Sequence, residues 1–435
     1  MDELITLVLS QQEQIVHLAE RVTELEAELA GRRPSKSKAP PEWVRLNAVK
    51  TVAKGPRKKR PQGFARQREQ PTQRVQHAAN KCPHCNCTLK GGWVQRRRQV
   101  LHIPVVRVQV IEHEIIARQC PKCGRKVVPK VDLRAGVMGK HRLSTQTMSL
   151  IATLREVGRL PVRTIQWYLK TLHGLKLSLG ELVGILHRVA KLGKDTLERL
   201  KEQVRASPVV HGDETGWRED GRNGYVWTFS TPEVRYFVYR QSRSGEVVSE
   251  VLGEGFEGHL VSDFYAGYNR MEGRHQRCWT HLLRDIHELE QDYPEDAVLG
   301  RWARGVYRLY RWAKTFRSED SQRRERAQHC FERLLSGLCK PFEQGQVPQR
   351  TLCQRIGRYL PELFAFVADP RVPPDNNAAE RSLRPLVVSR KISGGTRSPQ
   401  GSQTKMTLAS LFGTWRVQGL DTLDACQKLL VSPQV

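Results

Sequence analysis

The sequence predicts a multidomain α/β protein: a helical insertion interrupts a small sheet, which follows an N-terminal helix, a cysteine ribbon and a helical region. Three observations predict it. Strand patterns ending on acids begin only after Pro208, as in Val209-Val-His-Gly-Asp213 and His259-Leu-Val-Ser-Asp263. The 116 residues between Asp263 and Glu380 read mostly as helix. Upstream, a heptad pattern and two Cys-x-x-Cys pairs occupy separate stretches.

Composition bounds the classes of function. At 435 residues the chain is too long for one ordinary core. A mean hydropathy of −0.54 fits a soluble protein, and no apolar run reaches the roughly 18 residues of a membrane span. The start, Met-Asp-Glu, lacks the positive charge of a secretory signal, so an intracellular, cytoplasmic location without membrane contact is expected. The 10 cysteines are then expected to be reduced or metal-bound. A net charge of +27 calls for a polyanionic partner.

Residues 1–30 carry a heptad seam of Leu4, Val8, Gln11, Ile15, Leu18, Val22, Leu25 and Leu29, which predicts a self-associating coiled-coil helix. Residues 31–78 are a basic linker rich in Pro, Lys, Arg and Gln, expected to be flexible. Within 31–70, 13 Lys and Arg stand against 2 acids, and Arg57, Lys58, Lys59 and Arg60 form its densest run, suited to phosphate. Residues 79–130 read as a zinc ribbon. Cys82 and Cys85, then 34 residues, then Cys120 and Cys123 supply four thiolates for a structural Zn²⁺, with Val105-Val-Arg-Val-Gln-Val-Ile-Glu-His113 as the intervening strand. His84 and Cys87 are substitute ligands, but they break the symmetry of the pairs. Residues 131–205 read as helices over 145–157, 162–173 and 179–192. Ser178-x-x-Glu181 is a capping box, and the short connection through Gly174 suits either a DNA-reading helix-turn-helix or a plain bundle.

Residues 206–275 form the first part of the acidic core. Strands over 209–213, 224–230 and 234–239, a helix over 246–252 and a strand over 259–263 make the layout of an RNase H-like sheet. In that layout the strand ends bearing Asp213 and Asp263 lie side by side. Residues 276–358 are the helical insertion, opened by Cys278 and His281 at one helical turn. That pair could ligate a metal, pack, or face DNA. Residues 359–405 bring the helix carrying Glu380, and 406–435 a C-terminal helical segment. Each acid has a local alternative, since Asn377-x-x-Glu380 also reads as a helix cap and the two aspartates as turn acids. Carboxylates gathered from such places suit Mg²⁺ or Mn²⁺, and two such ions can clamp an in-line displacement at phosphorus. Arg381, Arg384, Arg390 and Lys391 suit DNA phosphates, although Pro385 puts the continuity of their helix in question.

The motifs Asp213-Glu-Thr-x-Trp, Ser262-Asp-x-Tyr-Ala-Gly-Tyr, Cys278-Trp-x-His and Asp375-Asn-Asn-Ala-Ala-Glu-Arg-x-Leu-Arg-Pro are similar to those of the insertion-sequence sixty-six family of bacterial DDE transposases. The Ser389-Arg-Lys and Gly-Gly-Thr-Arg-Ser stretches resemble it too. The resemblance covers nearly the whole chain. It implies an RNase H-like fold, Mg²⁺-dependent DNA cleavage and strand transfer, binding of the element's terminal inverted repeats and of target DNA, and Asp213, Asp263 and Glu380 as catalytic acids. It also implies a nucleoid-associated bacterial protein, with accessory proteins of the same element as candidate partners, while homo-oligomers are expected through the N-terminal coiled coil. Two departures stand out. The linker has Arg60-Pro-Gln-Gly-Phe where the family has a Gly-Gln-Pro-Gly-His-like element, and Val387 lies where some DDE enzymes place a basic residue. The competing readings are a non-catalytic zinc-ribbon DNA-binding protein derived from a transposase, and a stand-alone nuclease of the same fold.

Overall fold

A computed structural model describes residues 69–431 except 105, 132–135 and 137–140. The expected coiled coil over 1–30 and the basic run Arg57–Arg60 lie outside the described residues. The described chain forms two compact units, one of residues 257–376 and one of the residues on either side of that stretch.

In the larger unit, residues 69–131 form no core. Two short strands, β1 (Arg118–Gln119) and β2 (Lys126–Val127), pair antiparallel. The expected ribbon strand is not formed: residues 106–113 are exposed and outside any sheet. The alternation is present, but among the described residues no strand pairs with it, and its backbone turns instead to the end of a helix: Val108 N donates to His173 O at 2.8 Å, and His173 Nδ1 lies 2.8 Å from Val106 O.

The helical region follows the sequence closely. α1 (Thr145–Glu156) starts where Ser144 Oγ accepts from Thr147 N at 3.2 Å. α2 (Val162–His173) stops at Gly174, whose φ of 73° is easy only for glycine. α3 (Leu179–Leu192) opens with the Ser178–Glu181 box, both bonds present at 3.1 and 2.7 Å. α4 (Lys194–Arg205) leads into the strands.

β3 (Val209–Glu219), β4 (Arg222–Ser230) and β5 (Arg235–Arg240) form an antiparallel meander in which Asp213 faces Thr228 and Thr228 faces Phe237. The first hairpin turns on Asp220 and Gly221, both at positive φ (48° and 78°), as its tight turn requires. β3 therefore runs six residues past Asp213, and this acid lies within the strand and not at its end. The short helix α5 (Glu246–Leu252) packs on α4.

The smaller unit begins with β6 (His259–Ser262), parallel to β7 (Arg274–Arg277). Its helices are α6 (Trp279–Asp292), α7 (Ala297–Thr315), α8 (Ser321–Cys339), α9 (Arg350–Arg358) and α10 (Ala365–Ala368). They close around Trp279, Ile286, Trp302, Phe331 and Phe364, with Trp279 stacked on Tyr310 at 4.7 Å.

The chain then completes the larger unit with α11 (Asn377–Ser393), α12 (Pro399–Val417) and α13 (Thr422–Val431). α11 passes through Pro385 without a break, although proline withdraws the helical donor of the Arg381 carbonyl. Leu383 and Leu386 hold α11 against Trp217, Val226 and Phe237 of the sheet. α12 packs on β5 and α3, and α13 on α1. The helices that suited a helix-turn-helix thus share a bundle with the C-terminal helices. No helix among the described residues is long and apolar enough to cross a membrane.

Candidate active site and metal centre

Asp213 is half-buried in β3, and its Oδ1 accepts from Glu214 N at 2.9 Å. The next side chain, Glu214, is 2% exposed and paired with Arg243, whose Nε lies 2.9 Å from Oε1. Sequence reasoning passed over this acid because its partner lies 29 residues away. Further along β3, buried Trp217 donates from Nε1 to Thr396 Oγ1 at 3.0 Å. The Thr396 backbone pairs with Arg218 O and Asp220 N, each at 2.9 Å. Gly395 comes so close that a Cβ there would lie 2.1 Å from Arg218 O. The Asp-Glu-Thr-Gly-Trp and Gly-Gly-Thr-Arg-Ser motifs therefore form one structure.

Glu380 sits half-buried in the first turn of α11, where the helix dipole favours a carboxylate. Because α11 packs on β3 and β4, Asp213 and Glu380 are borne by neighbouring elements of one unit. Of the cations on this helix, Arg381, Arg384 and Lys391 are exposed. Arg390 is half-buried and donates to the Gly216 carbonyl and to Thr215 Oγ1, so it ties α11 to β3.

Asp263 belongs to the other unit. It follows β6 directly, and its Oδ1 accepts from Tyr265 N at 2.9 Å, a local turn that fixes the carboxylate. Arg277, only 1% exposed, is the centre of this region. It donates to Asp263 O at 3.0 Å, to Asn269 Oδ1 at 2.7 Å and to Glu362 Oε2 at 2.5 Å, and it lies over the Tyr359 ring. The next two residues anchor the loop before α11. Asn376 N donates to Cys278 Sγ at 3.2 Å, and Trp279 N donates to Pro374 O at 3.0 Å. Burial pushes the Cys278 thiol up to about 11, so this cysteine is a neutral packing group and acceptor. No sequence signal marked Arg277, because an arginine inside a four-residue strand looks like a surface charge.

The cysteines form two knuckles with one design. Asn86 N donates to Cys82 O at 2.9 Å and Gly124 N to Cys120 O at 2.9 Å, with Asn86 and Gly124 at φ 57° and 66°. A small antiparallel pairing flanks each knuckle, Lys81 with Thr88 and β1 with β2. The sulfurs of Cys82, Cys85 and Cys87 lie within 4.8 Å of one another, a cluster able to hold a thiophilic ion. Cys87, a substitute ligand on sequence grounds, therefore joins the first knuckle, and Cys120 and Cys123 lie outside this cluster. Hydrogen bonds, the Cys87 backbone N–H foremost, hold the Cys85 thiol below its usual range. The Cys123 N–H does the same for Cys120. Thiols biased toward thiolate in this way suit a metal.

The profile of the Transposase IS66 family matches residues 140–404. Three proteins of Sinorhizobium fredii are also similar to this chain. "Uncharacterized protein y4qI" is 25% identical over 265 residues, covering 52% of this chain and 47% of its own length. "Uncharacterized protein y4jD" is 26% identical, with coverages of 57% and 55%. "Uncharacterized protein y4jO" is 31% identical over 163 residues, with coverages of 37% and 49%. The chain thus spans about half the length of the curated relatives it matches.

Proposed function

This chain belongs to the Transposase IS66 family, and on that premise we propose that it cleaves DNA at transposon ends and joins the freed ends to target DNA. The family match carries the reading, since residues 140–404 include all three acids. The remaining assignments are part of the same proposal. Asp213, Asp263 and Glu380 together hold Mg²⁺ or Mn²⁺ within an RNase H-like core. Their fit to such ions rests on the donor set, three half-buried carboxylates on β3, after β6 and in the first turn of α11. Bound there, the ions supply an activated water or 3′-hydroxyl and stabilise the leaving oxygen.

The chain's own groups position the acids. Glu214–Arg243 and Trp217–Thr396 stiffen β3 in the stretch that follows Asp213. Arg277 fixes the Asp263 backbone. Exposed Arg381, Arg384 and Lys391, with Arg57–Arg60 of the linker, neutralise DNA phosphates. A structural Zn²⁺ is held by Cys82, Cys85, Cys120 and Cys123, with Cys87 close enough to substitute. Residues 1–30 join copies of the chain, which acts in the bacterial cytoplasm on terminal inverted repeats, alongside accessory proteins of its element.

The test is cleavage of terminal-repeat DNA with and without Mg²⁺. Asp213→Asn, Asp263→Asn and Glu380→Gln should each lower cleavage by orders of magnitude while DNA binding persists. Activity surviving in any of the three would overturn the triad. Binding without cleavage by the unaltered protein would establish the non-catalytic DNA-binding reading instead.

A further inference from the structure

Lys405 and Glu156 form a buried ion pair, Nζ to Oε2 at 2.7 Å, on the floor of a cavity of about 290 Å³. α1, β5, α11 and α12 wall it. Such a pair is expensive to bury, and here it leaves one oxygen unserved. Glu156 is 9% exposed, and among the described residues no donor reaches its Oε1. A buried carboxylate oxygen of this kind calls for an N–H or O–H.

The rest of the lining has the opposite need. Arg235, Arg381 and Arg416 border the same cavity, and among the described residues none of them forms an ion pair with a carboxylate. Burial, followed by the nearby positive charge of Arg381, weakens the hold of Arg235 on its proton. Cations gathered without an acid are a site for an anion. Between the two lie apolar faces, among them Phe237, Leu386 and Phe412. Arg381 and Arg416 are exposed, and Lys405, Glu156 and Phe412 are buried, so the anion end is the mouth and the acceptor end the floor.

A ligand that satisfies all three parts carries an anion at one end, a flat apolar body and an N–H donor at the other. We propose that this cavity binds a single nucleotide, with its phosphate on Arg381 and Arg416, its base against Phe237 and Phe412, and a base N–H donated to Glu156 Oε1. The cavity volume is near the lower bound for small-molecule sites. Duplex DNA on a basic surface would explain the arginines but not the buried acceptor or the aromatic walls. The site is separate from the acid of the same helix. At about 100° per residue, Ser382 and Pro385 fall on the side of α11 away from Glu380.

The same chemistry has two sources, a free nucleotide or one nucleotide of a DNA strand, and calorimetry with the full-length protein separates them. One arm uses dAMP, its N6,N6-dimethyl analogue, deoxyribose 5-phosphate and inorganic phosphate. The other uses a short single-stranded DNA containing one adenine and the same strand with that base removed. Adenine should bind at least roughly tenfold more tightly than the dimethylated or base-free probe, because the base N–H meets a buried charge. If dAMP binds, the source is a free nucleotide; if only the strand shows the preference, the source is DNA. Arg416→Ala, at the exposed mouth, should weaken binding about tenfold in either arm. Glu156→Gln should erase the preference for adenine over its dimethyl analogue. Phosphate or the base-free probes binding as well as adenine would overturn the proposal, as would unchanged binding by Arg416→Ala. The probe comparison on the unaltered protein decides the matter even if Glu156→Gln does not fold.

Discussion

Residues 257–376 bury Trp279, Trp302, Phe331 and Phe364 in a continuous apolar core. Among the described residues from 69 to 131, by contrast, Cys82 and Cys120 alone are even half-buried. Trp93 is 85% exposed and Ile103 91%. One region is held by side chains removed from water. The other has ordered turns without a core, and small segments of that kind are held by disulfides, metals or partners. The sulfurs of Cys82, Cys85 and Cys87 lie close enough to share one ion, so the proposed metal would act where this region lacks a core.

The largest expected effect separates the regions by chelation. Removing metal should abolish amide protection around Cys82–Thr88 and Cys120–Val127 and leave that of α6 to α9 unchanged, as hydrogen exchange reads it. Equal protection with and without chelator would break the contrast.

A smaller effect tests the core side. Trp279 stacks on Tyr310 and lies 5.3 Å from the Phe364 ring centre. Trp279→Ala should cost about 3–5 kcal/mol of stability in the 257–376 unit. Bound zinc per chain should not change. If metal is lost with the tryptophan, the two regions are not independent.

The smallest effect is one of pH. Burial pushes His259 and His275 below the ordinary histidine value of 6.5, and for His259 the attraction of Asp369 at 3.8 Å offsets only part of this. The fold therefore favours the neutral rings. Their contribution to stability is complete above 6.5 and declines as pH falls through that value toward the lowered folded-state one. The melting temperature of this unit should drop between about pH 7 and 5. His259→Asn should flatten the drop, and an unchanged slope would remove His259 as its cause. With the proposed zinc bound, the knuckles should weaken over the same range for another reason, protonation of thiolates, which the zinc content of the protein reads separately.

How much of this was legible in the sequence depended on whether the determining contact was local. α2 and α3 match their expected bounds because Gly174 and the Ser178–Glu181 box act within a few residues, and α5 does so because Gly253, at φ 81°, ends it locally. β7 reads Arg-His-Gln-Arg, with no strand pattern, because its three buried polar side chains find partners only in the folded unit. The extension of β3 to Glu219 depends on Asp220-Gly221, a turn signal overlooked between polar neighbours. Pro385 argued against a continuous α11, but Leu383 and Leu386 packed on the sheet keep it whole. The acids, cysteines and motif glycines were legible as residue types. Their supports were not: Arg243 on Glu214, Thr396 on Trp217 and Glu362 on Arg277 are pairings across long stretches of chain.

The proposed sharing of Mg²⁺ by Asp213, Asp263 and Glu380 can be read at the ion itself. Fe²⁺ in place of Mg²⁺, with ascorbate and peroxide, generates radicals that cut the polypeptide beside the bound ion. With all three acids holding the ion, cuts should appear near Asp213, Asp263 and Glu380 together, and all of them should be lost in Asp263→Asn. Cuts confined to one segment, or cuts near Asp213 and Glu380 that persist in Asp263→Asn, would contradict that sharing.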